Sequence, residues 1–255
     1  IITKAEQEKK GNVHFIVPNK PMYRIFDLED LEELRGFTGE YVVQEKYDGM
    51  RVQLHKIDGK VTIYSYNQKD ITEKCPTQVK ELKKKEYGDC ILDGELILFD
   101  GDKALHRADT IAHVFKGQYP DAELRIHVFD IMRHEGDDIT DEPLRMRIQL
   151  LFNNYSAKSS DVIAYPSKKD TRIADTHKDI GVYAKEIMEM PTSEGVVIKD
   201  IESTYFVGTK KNPKWIKWKK FVDLDLIVLD VKKTKSNLYS YTLGAGPVEK
   251  KGKKS

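Results

Sequence analysis

The chain has 255 residues, of which 39% are hydrophobic and 33% charged, and its mean hydropathy of −0.57 indicates a globular protein with a heavily charged surface. The net charge of +1 excludes a uniformly basic chain, so a nucleic-acid site would need local clustering of positive charge. No apolar run approaches the roughly 18 residues of a membrane span, and no signal peptide is visible. Two cysteines without a CxxC pattern argue against zinc and favour a reducing compartment.

Hydrophobic periodicity predicts many short strands with helices between them. Helical spacing, caps and stop signals predict helices over residues 27–34, 77–87 and 180–190, and a further helix that starts at residue 144. Apolar or alternating runs predict strands over residues 41–43, 52–54, 61–66, 90–99, 124–131, 195–199, 215–219 and 224–231. Residues 1–20 are expected to form a polar arm, and residues 105–124 show no clear pattern. These elements predict an α+β fold with largely antiparallel β-sheets flanked by helices.

Asp-Gly pairs mark the predicted turns, because both residues tolerate the backbone conformations that tight turns need. Asp48-Gly49 lies between two predicted strands, which places Lys46 beside the tip of a predicted hairpin. Asp58-Gly59 and Asp100-Gly101 predict two more hairpins, whereas the chain is predicted to be strand on both sides of Asp93-Gly94. Taken alone, the segment around Lys46 is more typical of a charged hairpin tip than of a functional site.

Residues 224–231 form the last strongly apolar segment, and from Lys232 the chain is rich in Lys, Gly and Ser, so we place a domain boundary near residues 221–223. We predict one domain over residues 1–222. The remaining residues 223–255 are too few for an independent domain, so they are either the start of a second domain or a truncated tail. The chain does not begin with Met, which indicates a fragment or a processed protein.

Six charged residues interrupt apolar strand segments, where a charge is costly unless it is paired or functional. For any one of them, a solvent-facing position on a half-buried strand is an equally good interpretation. Their shared order along the chain is more informative than any single position. The six are Lys46, Glu95, Glu194, Lys199, Lys217 and Lys219.

Five segments occur in an order that resembles the covalent nucleotidyltransferases, which comprise polynucleotide ligases and mRNA-capping enzymes. They are Lys46-Tyr47-Asp48-Gly49-Met50-Arg51, Asp93-Gly94-Glu95, Phe129-Asp130, Glu194-Gly195-Val196-Val197-Ile198-Lys199 and Trp215-Ile216-Lys217-Trp218-Lys219. The resemblance covers residues 41–220.

Within that superfamily the chain is most similar to ATP-dependent DNA ligases of the archaeal and eukaryotic type. Residues 65–72 match a ligase stretch that begins Ser-Arg-Asn-Gln, and residues 194–199 are ligase-like where capping enzymes have Asp-Gly-Leu-Ile. Leu144 to Arg147 resembles the family's Pro-Leu-x-x-Arg segment. The resemblance implies an ATP-grasp-like nucleotidyltransferase fold, followed by the start of a C-terminal OB-fold domain.

The implied reaction has three steps, with ATP as co-substrate and Mg²⁺ as the metal. Lys46 attacks the α-phosphate of ATP, AMP passes from the lysine to the 5′-phosphate at a nick, and the 3′-hydroxyl then displaces AMP. A lysine amine is nucleophilic only when neutral, and neighbouring cations favour that form. The same cations would stabilise the negative charge of the reacting phosphate.

The resemblance assigns Lys46 as the nucleophile and Glu95 and Glu194 as metal ligands, since hard carboxylate oxygens suit Mg²⁺. Phe129 would stack on adenine, although a core aromatic is the competing interpretation. Nucleotide-binding residues are expected at Gln44, Glu45, Arg51, Glu95, Phe129, Lys199, Lys217 and Lys219. DNA phosphates are expected to contact Lys210, Lys211 and Lys214.

Two positions depart from the family pattern. Ligases of this type carry Glu two positions before the nucleophile, where this chain has Gln44, so its choice of base is less secure. Tyr66 stands where the family has an arginine, which puts one ribose or phosphate contact in doubt. We also expect weak self-adenylation, because the family's DNA-encircling and complete OB domains are not part of the sequence.

Two other functions remain open from sequence. One is a GTP-dependent capping guanylyltransferase or an RNA ligase, and the other is a non-catalytic nucleic-acid-binding relative. The expected partner is nicked double-stranded DNA, with a sliding clamp as an open second partner and no membrane. A monomer is expected, located in the cytoplasm of an archaeon or bacterium or in the nucleus of a eukaryote.

Overall fold

The computed structural model describes residues 21–25, 28–33, 39–207, 211–220, 226–234 and 238–245. The chain divides into two compact units, residues 1–220 and residues 221–255. The predicted arm over residues 1–20 and the domain boundary at residue 222 lie outside the described residues.

The first unit alternates short strands with helices. Its described helices are α1 (Leu28–Glu33), α2 (Pro76–Leu82), α3 (Arg107–Lys116), α4 (Leu144–Asn154) and α5 (His177–Met188). Its described strands are β1 (Pro21–Ile25), β2 (Tyr41–Tyr47), β3 (Met50–Ile57), β4 (Lys60–Ser65), β5 (Cys90–Asp100), β6 (Lys103–Ala104), β7 (Glu123–His134), β8 (Asp137–Asp138), β9 (Ile163–Ala164), β10 (Thr171–Ala174), β11 (Ser193–Asp200) and β12 (Asn212–Lys219).

Two sheets organise these strands. The first sheet has the order β1-β12-β11-β2-β10, and the second has the order β4-β3-β5-β7-β8, with β6 paired to β5 and β9 paired to β7. Pairing is antiparallel except between β1 and β12 and between β7 and β9. The predicted α+β fold with largely antiparallel sheets is therefore confirmed.

The predicted hairpin around Lys46 is wrong. Strand β2 pairs with β10 and β11, whereas β3 pairs with β4 and β5, so the chain crosses from the first sheet to the second at Asp48-Gly49. The crossing brings the backbone close to β5, because a Cβ on Gly49 would lie 2.4 Å from the carbonyl oxygen of Leu96. An Asp-Gly pair indicates a change of direction, but it does not determine the partner of the following strand.

The predictions at the other three Asp-Gly pairs are confirmed. Asp58 and Gly59 have φ angles of 50° and 72° and join β3 to β4, as a two-residue hairpin turn requires. Asp100-Gly101 leads into the confirmed β5–β6 hairpin. The chain is strand on both sides of Asp93-Gly94, as predicted, because β5 is continuous, and it carries a register shift against β7 at this point.

Strand β2 lies between two hydrophobic cores. Tyr41 and Val43 belong to the core that packs against α5, whereas Val42 belongs to the core of the second sheet. Side chains alternate along a strand, so the even-numbered residues of β2 face the second sheet. Gln44 and Lys46 therefore point toward that sheet.

Local capping explains two helices that the sequence placed imperfectly. Helix α5 starts three residues before the predicted residue 180, because the Thr176 hydroxyl accepts a hydrogen bond from the Asp179 amide. Helix α3 lies in the segment without a clear pattern, where Gly117 ends it at a φ of 68°. None of the described helices has the length and apolar character needed to cross a membrane.

In the second unit the described residues form one antiparallel pair, β13 (Leu226–Lys233) and β14 (Tyr239–Ala245). Their apolar side chains are exposed, with Leu229 at 65% and Tyr239 at 58%. Two strands alone cannot bury a hydrophobic face.

Candidate active site

Both sheets of the first unit contribute side chains to a cavity of about 350 Å³. Its lining combines several cations with two carboxylates, an amide and aromatic rings, which suits a charged ligand that carries a flat ring. The lining residues are Gln44, Glu45, Lys46, Tyr47, Arg51, Tyr66, Glu95, Arg107, Phe129, Val197, Lys199, Trp215 and Lys217.

Strand register in the first sheet produces one wall of this cavity. Gly195 of β11 lies opposite Lys46 on one side and Lys219 on the other. Two residues further on, Val197 lies opposite Gln44 and Lys217 in the same way. Because residues two apart on a strand share a face, Lys46, Lys217 and Lys219 project from the same side of the sheet.

The glycine in this row is required by the close approach of β12. Gly195 has a φ of 147°, and a Cβ at this position would lie 2.2 Å from the carbonyl oxygen of Trp218. Any side chain at residue 195 would therefore force the strands apart at the level of Lys46 and Lys219.

The second sheet supplies the facing wall. Arg51 of β3 lies opposite Glu95 of β5, and Phe129 of β7 lies beside the register shift at Asp93-Gly94. The Phe129 ring is half-buried and borders the cavity, with the Arg51 guanidinium 5.3 Å from its centroid. The structure thus places Phe129 at the cavity and not in the core that was its competing interpretation.

The ammonium of Lys46 is paired with a carboxylate. Lys46 Nζ donates a hydrogen bond to Glu194 Oε2, and Lys219 Nζ donates to Glu194 Oε1. Burial raises the pKa of Glu194, but the hydrogen bonds from Lys219 and Lys46 outweigh it and lower the pKa overall. Glu194 is therefore ionised at neutral pH and joins the two lysines.

Glu95 has the opposite electrostatic environment. Burial raises its pKa to about 7, although Lys46, Arg51 and Arg107 act to lower it. A carboxyl group with this pKa can accept or release a proton near neutral pH.

Lys199 is a buried ammonium between two aromatic rings. Its Nζ lies 4.1 Å from the ring centroid of Trp215 and 4.9 Å from that of Phe129. Among the described residues it has no hydrogen-bond partner, and burial lowers its pKa to about 8. A buried donor of this kind is expected to meet a ligand acceptor in the cavity.

Lys217 also lines the cavity, and its pKa is lowered by burial and by the positive charges of Lys219 and Lys46. A concentrated positive field of this kind favours phosphate groups.

Gln44 and Glu45 differ in their accessibility to a ligand. The Gln44 amide faces the cavity, and its Oε1 is buried without a hydrogen-bond partner among the described residues. The Glu45 carboxylate instead accepts a hydrogen bond from Thr192 Oγ1 at 2.5 Å, and burial raises its pKa to about 6. Gln44 is thus better placed than Glu45 to contact a ligand in the cavity.

Behind the cavity lies a buried polar network that the sequence reasoning did not identify. Arg51 donates to Asp93 through Nε at 3.0 Å and through a terminal nitrogen at 2.5 Å, and the Tyr205 hydroxyl donates to Asp93 at 2.6 Å. Arg147 forms a fully buried pair with Asp130, with the Nε to Oδ1 distance at 2.8 Å. The network fixes the strand that carries Arg51 and the strand that carries Phe129.

Sequence reasoning missed the cavity residues Trp215 and Arg107 and the buried Arg147 behind them, for identifiable reasons. Trp215 lies two residues before Lys217, so the strand period alone would have placed it on the same face. Arg147 occupies the apolar face of a helix with Leu144 and Leu151, a pattern that signals a paired core charge. Arg107 lies in the segment that shows no pattern.

The candidate DNA-contacting lysines are only partly described. Lys210 lies outside the described residues, Lys211 is exposed, and Lys214 Nζ forms an ion pair with Asp200 at 2.9 Å. The charge of Lys214 is thus partly compensated within the protein.

Among the described residues, no three histidine, cysteine, aspartate or glutamate side chains are grouped closely enough to hold a metal ion by themselves. Mg²⁺ is commonly bound through one or two carboxylates together with substrate phosphates. Glu194 contacts Lys46, and Glu95 lines the same cavity as that lysine. The donor chemistry fits a magnesium ion that a phosphate ligand would help to bind.

The two sheets and their cavity have the fold of DNA ligase nucleotidyltransferase domains. The chain belongs to the ATP dependent DNA ligase domain family, whose model matches residues 27–219. It is 34% identical over 239 residues to a DNA ligase of Archaeoglobus fulgidus, an alignment that covers 90% of this chain and 41% of the relative. It is 28% identical to a DNA ligase of Methanocorpusculum labreanum, with 89% and 41% covered.

Solved structures agree on the fold. The chain is similar to a mycobacterial DNA ligase D complexed with ATP and MES, with a TM-score of 0.59 and 16% identity, covering 84% of this chain and 63% of the other. The family resemblance read from the motifs is confirmed. The chain spans about two fifths of the length of the curated relatives described above.

Proposed function

We propose that this chain is the adenylation core of an ATP-dependent DNA ligase, with residues 1–222 forming the nucleotidyltransferase domain. The observation that carries the proposal is the position of Lys46: its ammonium contacts Glu194 in a cavity that Lys199 and Lys217 also line. Family membership and the ATP complex of a structure with the same fold support ATP as the ligand.

In the first step the Lys46 amine forms a bond to the α-phosphorus of ATP, and the bond from that phosphorus to the bridging oxygen breaks, which releases pyrophosphate. The lysine must lose a proton before or during the attack, and Glu194 Oε2 is the acceptor already in contact with it. Lys217 and Lys219 lie on the same face of the sheet and would stabilise the charge that builds up on the phosphate.

The same cavity would bind the rest of the nucleotide. The half-buried Phe129 ring offers a stacking surface for the base, and the Gln44 oxygen offers an acceptor. Arg51 is already held by Asp93 through Nε and one terminal nitrogen, so its contribution to ribose or phosphate binding would come from the remaining edge of its guanidinium.

Magnesium would supply charge neutralisation at the phosphates, held through Glu95 and Glu194. Lys46 and Lys219 already form ion pairs with Glu194, so a metal ion bound to this carboxylate would weaken those ion pairs. Because the pKa of Glu95 is raised, its carboxyl group would be fully ionised only at higher pH or with a cation bound beside it.

Transfer of AMP to the 5′-phosphate of nicked DNA and sealing by the 3′-hydroxyl complete the proposed activity. Lys210, Lys211 and Lys214 would contribute phosphate contacts, together with Arg107 of the cavity lining. Residues 223–255 would begin an OB-fold domain, whose remaining strands would cover the exposed side chains of β13 and β14. We further propose a monomer that acts inside the cell, with a sliding clamp as a candidate partner.

The proposal is tested by incubating the full-length protein and the 255-residue chain with Mg²⁺ and α-labelled ATP or GTP. An acid-labile protein label from ATP, absent in Lys46→Arg, is expected, together with sealing of nicked DNA by the full-length protein. A label from GTP alone would support a capping guanylyltransferase instead. No label with either nucleotide in the full-length protein would support a non-catalytic relative.

A further inference from the structure

The side-chain amide of Gln44 is fixed in one orientation by its neighbours. Its Nε2 lies 3.2 Å from the carbonyl oxygen of Phe129 and 3.4 Å from Thr171 Oγ1. Thr171 lies directly opposite Gln44 on the paired strand β10, so the two side chains share a face of the sheet. The nitrogen end of the amide thus faces two protein oxygens.

Hydrogen-bond chemistry favours this orientation. The backbone carbonyl of Phe129 can only accept a hydrogen bond. The Thr171 hydroxyl has one hydrogen, which it donates to Asp170 Oδ1 at 3.1 Å, so toward Gln44 it also acts as an acceptor. A flipped amide would place its oxygen against two acceptors and lose both hydrogen bonds.

Asp170 is itself held in place. Its Oδ1 accepts from the Ser167 amide at 2.8 Å, and its Oδ2 accepts from the Ser167 hydroxyl at 3.0 Å. The carboxylate is therefore positioned to keep the hydrogen of the Thr171 hydroxyl away from Gln44. The chain of contacts runs from Ser167 through Asp170 and Thr171 to the Gln44 amide.

The consequence appears at the opposite end of the amide. Gln44 Oε1 is buried beside the cavity and has no hydrogen-bond partner in the described part of the chain. A purine with an amino group at position 6, as in adenine, donates a hydrogen bond there. A purine with an oxygen at position 6, as in guanine or hypoxanthine, would face Oε1 with a second acceptor.

We propose that Thr171, held by Asp170, is a positioning residue that sets the base preference of this site by fixing the acceptor end of Gln44 toward the cavity. The inference rests on the proposed function, because it takes the cavity to be a nucleotide site. It accounts for selection of adenine by a neutral amide, at the position where the sequence left the choice of base least secure.

The test measures Kd values in the full-length protein with Mg²⁺ chelated, so that no covalent step takes part. The ligands are ATP, inosine triphosphate, and purine riboside triphosphate, which lacks a substituent at position 6. For the unaltered protein we expect the tightest binding with ATP and the weakest with inosine triphosphate. Inosine triphosphate that binds as well as purine riboside triphosphate would overturn the inference, since it would show that the amide turns freely.

Variants then separate Thr171 from Gln44. Thr171→Val keeps the shape but removes the acceptor, and the ratio of the Kd for inosine triphosphate to the Kd for ATP should fall about five- to tenfold. Thr171→Ser keeps the hydroxyl and should have the same ratio as the unaltered protein. Ile173→Val, a control on the same strand, should also leave the ratio unchanged. A ratio that stays at its original value in Thr171→Val would overturn the role of Thr171.

Different measurements would contradict the proposed function and the positioning role of Thr171. Absence of a covalent label on the protein counts against the proposed ligase activity, whereas the ratio of the Kd values counts for or against the positioning role. If Thr171 had a purely structural role, Thr171→Val would lower thermal stability and weaken the binding of both nucleotides equally, so the ratio of the Kd values would stay unchanged.

Discussion

Lys46 donates a hydrogen bond to Glu194, a residue 148 positions further along the chain, and Lys219 donates to the other oxygen of the same carboxylate. The contact exists because β11 lies between β2 and β12, which brings both lysines to the level of Gly195. Glu194 is thus the residue that joins the proposed nucleophile to the cations around it.

Replacing Glu194 with Gln tests this relationship. The amide would offer one acceptor and one donor to two ammonium groups, so one lysine would lose its partner and a metal would lose a charged ligand. We expect the rate of covalent labelling by ATP to fall by about 100-fold or more. Glu189→Gln, an exposed change at the end of α5, is the matched control and should label normally; equal rates in the two variants would refute the role of Glu194.

The buried pair between Arg147 and Asp130 makes a stability prediction. Arg147→Met would leave the Asp130 carboxylate uncompensated, which costs on the order of 3–5 kcal/mol of unfolding free energy. Arg145, two residues earlier on the same helix, pairs with Glu40 and Glu202 at the surface. Arg145→Met should leave the unfolding free energy near its original value. Chemical denaturation of both variants compares the two unfolding free energies directly. Similar losses in the two would contradict the account.

Gly195 provides a test of backbone packing next to the site. Gly195→Ala places a Cβ 2.2 Å from the carbonyl oxygen of Trp218 at a φ of 147°, so we expect a loss of about 3 kcal/mol or more. The control is Gly59→Ala, where φ is 72° but nothing lies within 4 Å, and the expected loss is about 1 kcal/mol. Thermal unfolding distinguishes the two, and the account fails if Gly195→Ala is the milder change.

Lys199 predicts an unusual dependence of stability on pH. Burial lowers its pKa from 10.5 to about 8, so between these values the unfolded chain binds more protons than the folded protein. Stability from this group therefore rises with pH from about 8 to 10.5, and the buried charge destabilises the fold at neutral pH. Lys199→Met should remove that rise, increase the unfolding free energy at pH 7 by about 1–3 kcal/mol, and weaken ATP binding.

The measurement is denaturant unfolding of both proteins at pH 7 and pH 10. Unchanged stability at pH 7, or a rise between the two pH values that persists in the variant, would show that Lys199 is not a destabilising buried ammonium. Stability gained together with binding lost is the pattern expected where a residue is kept for function.

Sequence patterns predicted the components of the site better than their assembly. The alternation along residues 215–219 was enough to place Lys217 and Lys219 on one face, because the strand period is a local property. The partner of each strand is not local, and for that reason Asp48-Gly49 was taken for a hairpin turn although it crosses between sheets. The same limit applies to Glu194, whose contact with Lys46 depends on strand order.

Buried polar contacts were the least predictable part. Tyr205 and Asp93 meet across 112 residues, and no periodicity links them. Arg147 carried a readable signal, a charge on the apolar face of a helix, but the identity of its partner on β7 did not follow from it. Thr171 had no signal, since its effect passes through the orientation of another side chain.

The most direct test of the proposed function is the identity of the adenylated residue. The full-length protein is incubated with ATP and Mg²⁺, digested under conditions that preserve phosphoramidates, and its peptides are analysed by mass spectrometry. The account predicts one adenylyl group on Lys46 and on no other lysine. An adenylyl group on Lys199, Lys217 or Lys219 in place of Lys46, or the same modification in Lys46→Arg, would contradict it.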